Sequence, residues 1–125
     1  MQEVDAWWTF GSILDPAETN NVVGFKPSRG LIATDGAIPI SKRQDVIGTL
    51  TRTVKDAAYM LSSMAGRSDR DDRTWAIPMN LIPDFTTFCN GTNLDGITIG
   101  VPRNSFGNQV PTAIMVSFES AINIL

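Results

Sequence analysis

The sequence predicts a chain of mixed helix and strand. Short extended apolar runs stand at residues 22–25 and 97–101, and helical apolar stripes begin at Thr53 and Pro111. Glycine, proline and Asp-Gly pairs punctuate the segments between them. The 125 residues suffice for one small domain with a core of its own and are too few for two.

At the start, Trp7 and Trp8 stand beside Phe10, followed by Gly11-Ser12-Ile13 and then Pro16. Glycine, then serine, with a proline close behind is expected to form a tight turn and no regular element. Val22-Val23-Gly24-Phe25 follows as a strand or tight extended piece, ended by Lys26-Pro27. Ser28-Arg29-Gly30 turns the chain into another short extended run, Leu31-Ile32-Ala33. Asp35-Gly36 turns it again. Ile38-Pro39-Ile40 stays extended, because a residue before proline avoids the helical region.

The clearest helix comes next. Thr53 is a good N-cap with Asp56 three residues on, a variant of the capping box. Apolar residues at Val54, Ala57, Ala58, Leu61, Met64 and Ala65 form one stripe, and Gly66 is placed to close it. Val54, Ala58, Leu61 and Ala65 are expected to face the core. Residues 67–73 carry three aspartates, which could suggest a divalent metal site. Arg67, Arg70 and Arg73 cancel that charge, and the glycine and terminal glutamate of a calcium loop are missing, so a solvated loop is expected.

Pro83-Asp84-Phe85 opens a short helix, and residues 93–96 turn into Ile97-Thr98-Ile99-Gly100-Val101, read as a strand ended by Pro102. A last helix starts near Pro111, with Ala113, Ile114, Phe118, Ala121, Ile122 and Leu125 on one face. That apolar pattern runs into the final residue, as expected of a truncated chain.

The totals exclude several functions. The net charge is −3 and no basic run occurs, which argues against a nucleic-acid partner. No apolar run approaches the roughly 20 residues that span a bilayer, and no signal pattern opens the chain, so a cytoplasmic protein off the membrane is expected. The single Cys89 can form no internal disulfide and reads as an apolar filler. Asn90-Gly91-Thr92 fits a glycosylation sequon and is read as a chance match. There is no histidine, which removes a Ser-His-Asp triad, a Cys-His dyad and the commonest zinc ligand; no metal or other cofactor is expected.

Taken together, Gly11-Ser12-Ile13, Pro16-Ala17 and Asn20-Asn21-Val22-Val23-Gly24-Phe25-Lys26-Pro27-Ser28-Arg29-Gly30 resemble the core of the amidase signature. The likeness continues through Asp35-Gly36-Ala37-Ile38-Pro39-Ile40-Ser41, Gln44-Asp45-Val46-Ile47-Gly48 and Thr51-Arg52-Thr53-Val54-Lys55-Asp56-Ala57-Ala58. It is still readable at Ala65-Gly66 and Ile99-Gly100-Val101-Pro102-Arg103. The Asn20-Asn21 pair is most similar to acetamidase-type or fungal amidases.

The resemblance implies an α/β fold, part of an α/β/α sandwich with a mixed central sheet, with residues 1–125 forming one partial amidase domain. It implies hydrolysis of amide C–N bonds by a Ser-cisSer-Lys triad, with a small-molecule amide as substrate and no cofactor. Ser12 maps to the acyl-enzyme nucleophile, and the backbone N–H groups of Thr9, Phe10, Gly11 and Ser12 map to the oxyanion hole. Loss of one such donor costs on the order of 100- to 1,000-fold in turnover. A neutral lysine acting through a bridging serine fits a chain without histidine. In the family both lie well upstream of the Gly-Ser-Ile block, so an internal segment inactive on its own is expected. Lys26 lies near Ser12 in sequence, but the family's Lys-Pro block is not the base; Lys42 and Lys55 are expected on the surface.

The sequence departs from the family pattern around the nucleophile. Phe10 stands where a glycine or aspartate is usual, and Leu14-Asp15 replaces a pair that is often arginine plus an apolar residue. Two other readings remain open: a non-catalytic relative acting as a binding or assembly module, and part of a glutamine-hydrolysing amidotransferase subunit. The oligomeric state is left open.

Overall fold

The structure is a computed structural model. It describes residues 7–91, 93–101, 103 and 110–124, with backbone alone for 7–10. Thr92, Pro102 and Leu125, named above in the sequon, the strand end and the last helical face, lie outside the described residues.

Helix α1 spans Trp7–Thr19, so the tight turn expected at Gly11-Ser12-Ile13 is instead the middle of a helix. Packing overrides the local turn signal. Ile13 and Ala17, four apart and on one face, are both buried, and α1 packs on the strand that follows. Pro16 lies inside the helix and has no N–H to offer the carbonyl of Ser12. The helix ends in a Schellman motif. The Val22 N–H donates to the Ala17 carbonyl at 3.0 Å and the Asn21 N–H to the Glu18 carbonyl at 3.1 Å. Asn21 takes the left-handed conformation this needs, at φ 53°.

Strand β1 (Val23–Phe25) pairs antiparallel with β2 (Thr49–Thr51), with Gly24 opposite Leu50. The first strand was expected. The second was not, although Thr49 and Thr51 alternate with Leu50 and are both buried. Helix α2 follows at Val54–Met64, the predicted helix to within a residue. The Thr53 hydroxyl accepts from the Asp56 N–H at 3.1 Å, as the capping pattern requires. Ala57, Ala58 and Leu61 are buried, whereas Val54, predicted to face the core, is exposed. Val54 occupies the first helical position. Gly66 closes the helix without a left-handed residue. Ala65 leaves in extended geometry, and the Gly66 N–H donates to the Leu31 carbonyl at 3.0 Å. Ile32 bridges to Ala65 beside it. Helices α1 and α2 each pack on the β1–β2 ribbon.

Three 3₁₀ turns follow, at Asp72–Ala76, Met79–Leu81 and Phe85–Cys89. The third is the short helix expected from Pro83-Asp84-Phe85. It is capped by Asp84, bonded through the Phe85 N–H to the Ser62 hydroxyl of α2 at 3.0 Å, and packed on that helix.

The chain divides into two units, Met1–Asn90, which holds all of the above, and Gly91–Leu125. In the second unit the turn expected at residues 93–96 forms one residue later, at 94–97, closed by the Ile97 N–H on the Leu94 carbonyl at 3.0 Å, with Gly96 at φ 79°. Residues 97–101 are not a strand. No described strand in this unit offers a ladder, and Ile97 and Ile99 are exposed. Helix α3 (Thr112–Ile122) starts after Pro111 as predicted, but none of its described residues is buried. The Arg103 guanidinium forks onto the Glu119 carboxylate, with Nη2–Oε2 at 3.0 Å, and holds that carboxyl below its ordinary range.

Candidate active site

Ser12 sits in the second turn of α1, exposed, on the wall of a cleft of about 690 Å³ within the first unit. That volume suits a small molecule. Gly11, half-buried, precedes it in the helix. The backbones of Thr9 and Phe10 form the first turn of α1, and their side chains lie outside the described residues. Within a continuous helix, the N–H groups of Gly11 and Ser12 point at the carbonyls of Trp7 and Trp8.

Most of the remaining wall is one segment, residues 34–47, and the Arg70-Asp71-Asp72-Arg73 run closes the cleft. The segment is fixed at several points. It begins with a turn in which the Ala37 N–H reaches the Thr34 carbonyl at 3.1 Å, with Gly36 at φ 87°. Asp45 Oδ2 accepts from the Ile40 N–H at 2.8 Å and the Ser41 N–H at 2.9 Å. Arg73 Nη1 donates to the Lys42 carbonyl at 3.2 Å, and Arg29 Nη1 to the Arg43 carbonyl at 2.6 Å.

The anchor is Asp71. The loop at residues 67–73 was expected to be solvated; instead this carboxylate is only 5% exposed. Its Oδ2 accepts from the Thr34 N–H at 2.8 Å and the Thr34 hydroxyl at 3.0 Å. Arg73 grips it in a fork, Nε on Oδ1 at 2.6 Å and Nη2 on Oδ2 at 2.9 Å, and also donates to the Thr34 hydroxyl. A buried charge is tolerated when paired and fully hydrogen-bonded. The Arg73 guanidinium, against the opposing effect of burial and with help from Thr34, holds the Asp71 carboxyl far below the usual carboxylate range. Asp71 in turn raises Arg73. The sequence missed this trio. Three acids among three arginines gave the right charge balance, but nothing local distinguishes Asp71 from Asp69 or Asp72.

Lys42 and Lys55 lie on the surface, as expected. Lys26, Lys42 and Lys55 are exposed, and only Lys42 among them borders the cleft. Cys89 is a free, half-buried thiol near the Phe85 carbonyl. Among the described residues no cluster of three acidic, cysteine or histidine ligands forms, and no helix is long and apolar enough to cross a membrane.

The model of the Amidase family matches residues 9–125. The protein named "Putative amidase" from Arthroderma benhamiae is 43% identical over 120 residues, covering 94% of this chain and 20% of the relative. A glutamyl-tRNA(Gln) amidotransferase subunit of Lacticaseibacillus casei is 41% identical over 113 residues, covering 90% of this chain and 22% of the relative. Among solved structures, the native peptide amidase of Stenotrophomonas maltophilia matches with a TM-score of 0.58 and 48% identity, over 62% of this chain and 16% of that one. The chain thus spans about a fifth of the length of the curated relatives it matches. The mixed helix and strand content with a small sheet agrees with the α/β fold of that neighbour, and the chain belongs to the amidase family.

Proposed function

We propose that this chain carries the nucleophile segment of a serine amidohydrolase. The observation that carries the reading is the position of Ser12, exposed on the wall of a small-molecule cleft. In the proposed reaction the Ser12 hydroxyl attacks the carbonyl carbon of an amide. Its proton passes through a bridging serine to a neutral lysine, the amine leaves with a proton, and water releases the acid from the acyl-enzyme. The oxyanion is held by backbone N–H groups of Thr9, Phe10, Gly11 and Ser12. A helix running on from Trp7 spends the last two of these internally, so this role requires the residues before Ser12 to turn away from helical geometry in the assembled site.

The base is not among the three lysines here. Lys26 and Lys55 do not border the cleft, and Lys42 borders it without the burial that makes lysine a base. The remaining wall and the Lys–Ser relay therefore belong to a more complete assembly, placed in the cytoplasm on this reading. A chimera tests it. Residues 11–66 replace the matching segment of the Stenotrophomonas maltophilia peptide amidase, which supplies the rest. Amide hydrolysis by the chimera is expected to fall by at least about 10⁴-fold with Ser12→Ala. Hydrolysis that survives that substitution would remove Ser12 from the nucleophile's place.

A second reading rests on the 41% identity to the glutamyl-tRNA(Gln) amidotransferase protein: the cleft would take glutamine and a partner protein would receive the ammonia. Rapid release of ammonia from glutamine by the same chimera, with slow turnover of alkyl amides, would favour it.

A further inference from the structure

Arg73 reaches two distant points of the wall segment, residues 34–47. At the first, its Nη2 donates to Asp71 Oδ2 at 2.9 Å and to the Thr34 hydroxyl, while Asp71 accepts the Thr34 N–H at 2.8 Å. At the second, its Nη1 donates to the Lys42 carbonyl at 3.2 Å. Nε completes the fork on Asp71 Oδ1 at 2.6 Å. Asp71 and, after it, Asp45 favour the charge on Arg73, and Asp45 caps the Ile40 and Ser41 N–H groups between the two points. The Arg73 backbone is seated as well: a Cβ on Gly30, at φ 84°, would collide with the Arg73 carbonyl oxygen. These bonds are internal to the chain, and the Asp71 side chain at their centre is only 3% exposed, so protein packed around the chain would add to that burial. A lysine cannot take the arginine's place. Its ammonium is a single point, whereas acceptors spread over Asp71, Thr34 and Lys42 need the planar fork of a guanidinium. Thr34, Lys42, Asp71 and Arg73 all stand outside the blocks that carry the family likeness.

We propose that Arg73 is a positioning residue for the reaction at Ser12: its guanidinium holds Thr34 and Lys42 in register, and with them the wall of the cleft that faces the substrate. This rests on the serine amidohydrolase reading above, which supplies the reaction. The donors of Arg73 are spent on protein acceptors, so it acts through Asp71, Thr34 and the Lys42 carbonyl. A wall already ordered spares the substrate the cost of arranging it. A wall ordered only part of the time lowers the apparent affinity by that fraction and leaves the bound complex as it was. The effect of Arg73 therefore belongs in KM and not in kcat.

Arg73→Lys keeps a charge beside Asp71 and removes the fork. In the full chain, amide hydrogen exchange followed by NMR should quicken by at least about tenfold at Thr34, Ala37, Ile40 and Ser41, and by less at Ala57, Ala58 and Leu61 of α2. Extending the chimera described above to residue 74 brings Arg73 into an enzyme. There, Arg73→Lys should raise KM for hexanamide about tenfold and leave kcat within about twofold. Exchange that rises equally in the wall segment and in α2 overturns the proposal, because Arg73 would then serve stability alone. Undisturbed exchange in the wall segment overturns it too, as does an unchanged KM or a loss carried by kcat. Hydrolysis that survives Ser12→Ala, with the effect of Arg73→Lys on KM intact, would count against the serine reading alone.

Discussion

Thr34 and Asp71 lie 37 residues apart in sequence, and one carboxylate oxygen of Asp71 accepts both the backbone N–H and the hydroxyl of Thr34. This contact ties the first residue of the cleft's rim segment to the loop that closes it. Because Asp71 is buried and gripped by Arg73, removing it leaves a guanidinium and two Thr34 donors without their acceptor. Asp71→Ala is expected to destabilise the first unit by about 3 kcal/mol, read as the urea midpoint at neutral pH. Asp71→Asn keeps the shape and loses the charge, and should cost less.

The same carboxylate predicts a pH dependence. Its folded pKa is depressed, with the Arg73 fork as the main cause. A depressed carboxyl contributes stability that is complete above its unfolded value of about 3.9 and is lost as pH falls from there toward the folded value. Chemical denaturation between pH 7 and pH 2.5 should therefore show stability dropping below about pH 4, and Asp71→Asn should remove most of that drop. A variant that follows the same acid curve as the unaltered chain would assign the loss to other carboxylates.

Gly24 passes so close to α1 that a Cβ on it would lie 2.6 Å from the Ala17 Cβ and 3.1 Å from the Ile13 carbonyl oxygen. Gly24→Ala should cost about 2 kcal/mol by forcing helix and strand apart. Removing the opposing methyl in Gly24→Ala/Ala17→Gly should recover part of that loss, beyond the penalty of a helical glycine. Strictly additive effects in the double-mutant cycle would show that the two methyls never compete for this space.

Much of the first unit is legible in the sequence because its signals are local. Thr53 and Asp56 announce the start of α2, and Asp35-Gly36 announces its turn; each needs only near neighbours. The failures are at places where distant residues decide. Ser12 and Gly11 carry a turn signature, yet burial of Ile13 and Ala17 against β1 draws them into a helix. Asp71 looks like any loop acid until Thr34 and Arg73 converge on it. Residues 97–101 have strand chemistry without a described ladder partner, and strand propensity is realised only in a sheet. Of the candidate site, the family blocks marked Ser12, while the anchored rim could not be read from spacing at all.

Thr49 is 1% exposed, and its hydroxyl finds no hydrogen-bond partner among the described residues. A buried hydroxyl with no partner loses its hydration and gains nothing in return. Thr49→Val keeps the β-branched shape that suits β2 and replaces the hydroxyl with a methyl. Stability is expected to rise by about 1 kcal/mol, a higher melting temperature with the fold unchanged. A lower melting temperature would mean that the hydroxyl has a partner, such as a buried water.

The chain by itself is expected to show no amidase turnover, and the reason lies in its bases. It has no histidine, and its lysines, Lys26, Lys42 and Lys55, are all exposed. A serine hydroxyl attacks an amide at a useful rate only when a positioned base removes its proton, and lysine serves as that base when burial disfavours its charge. The cleft does hold carboxylates, but they are committed to other partners or face solvent. Asp71 is locked to Arg73 and Thr34, Asp45 caps the backbone at Ile40 and Ser41, and Asp35 and Asp72 are exposed to solvent. Ammonia release from hexanamide and acetamide should therefore match the buffer blank across neutral and mildly alkaline pH. Turnover that vanishes with Ser12→Ala would mean that a base within these residues reaches the serine, and Lys42→Met would then be the variant to examine, since Lys42 alone among the lysines borders the cleft.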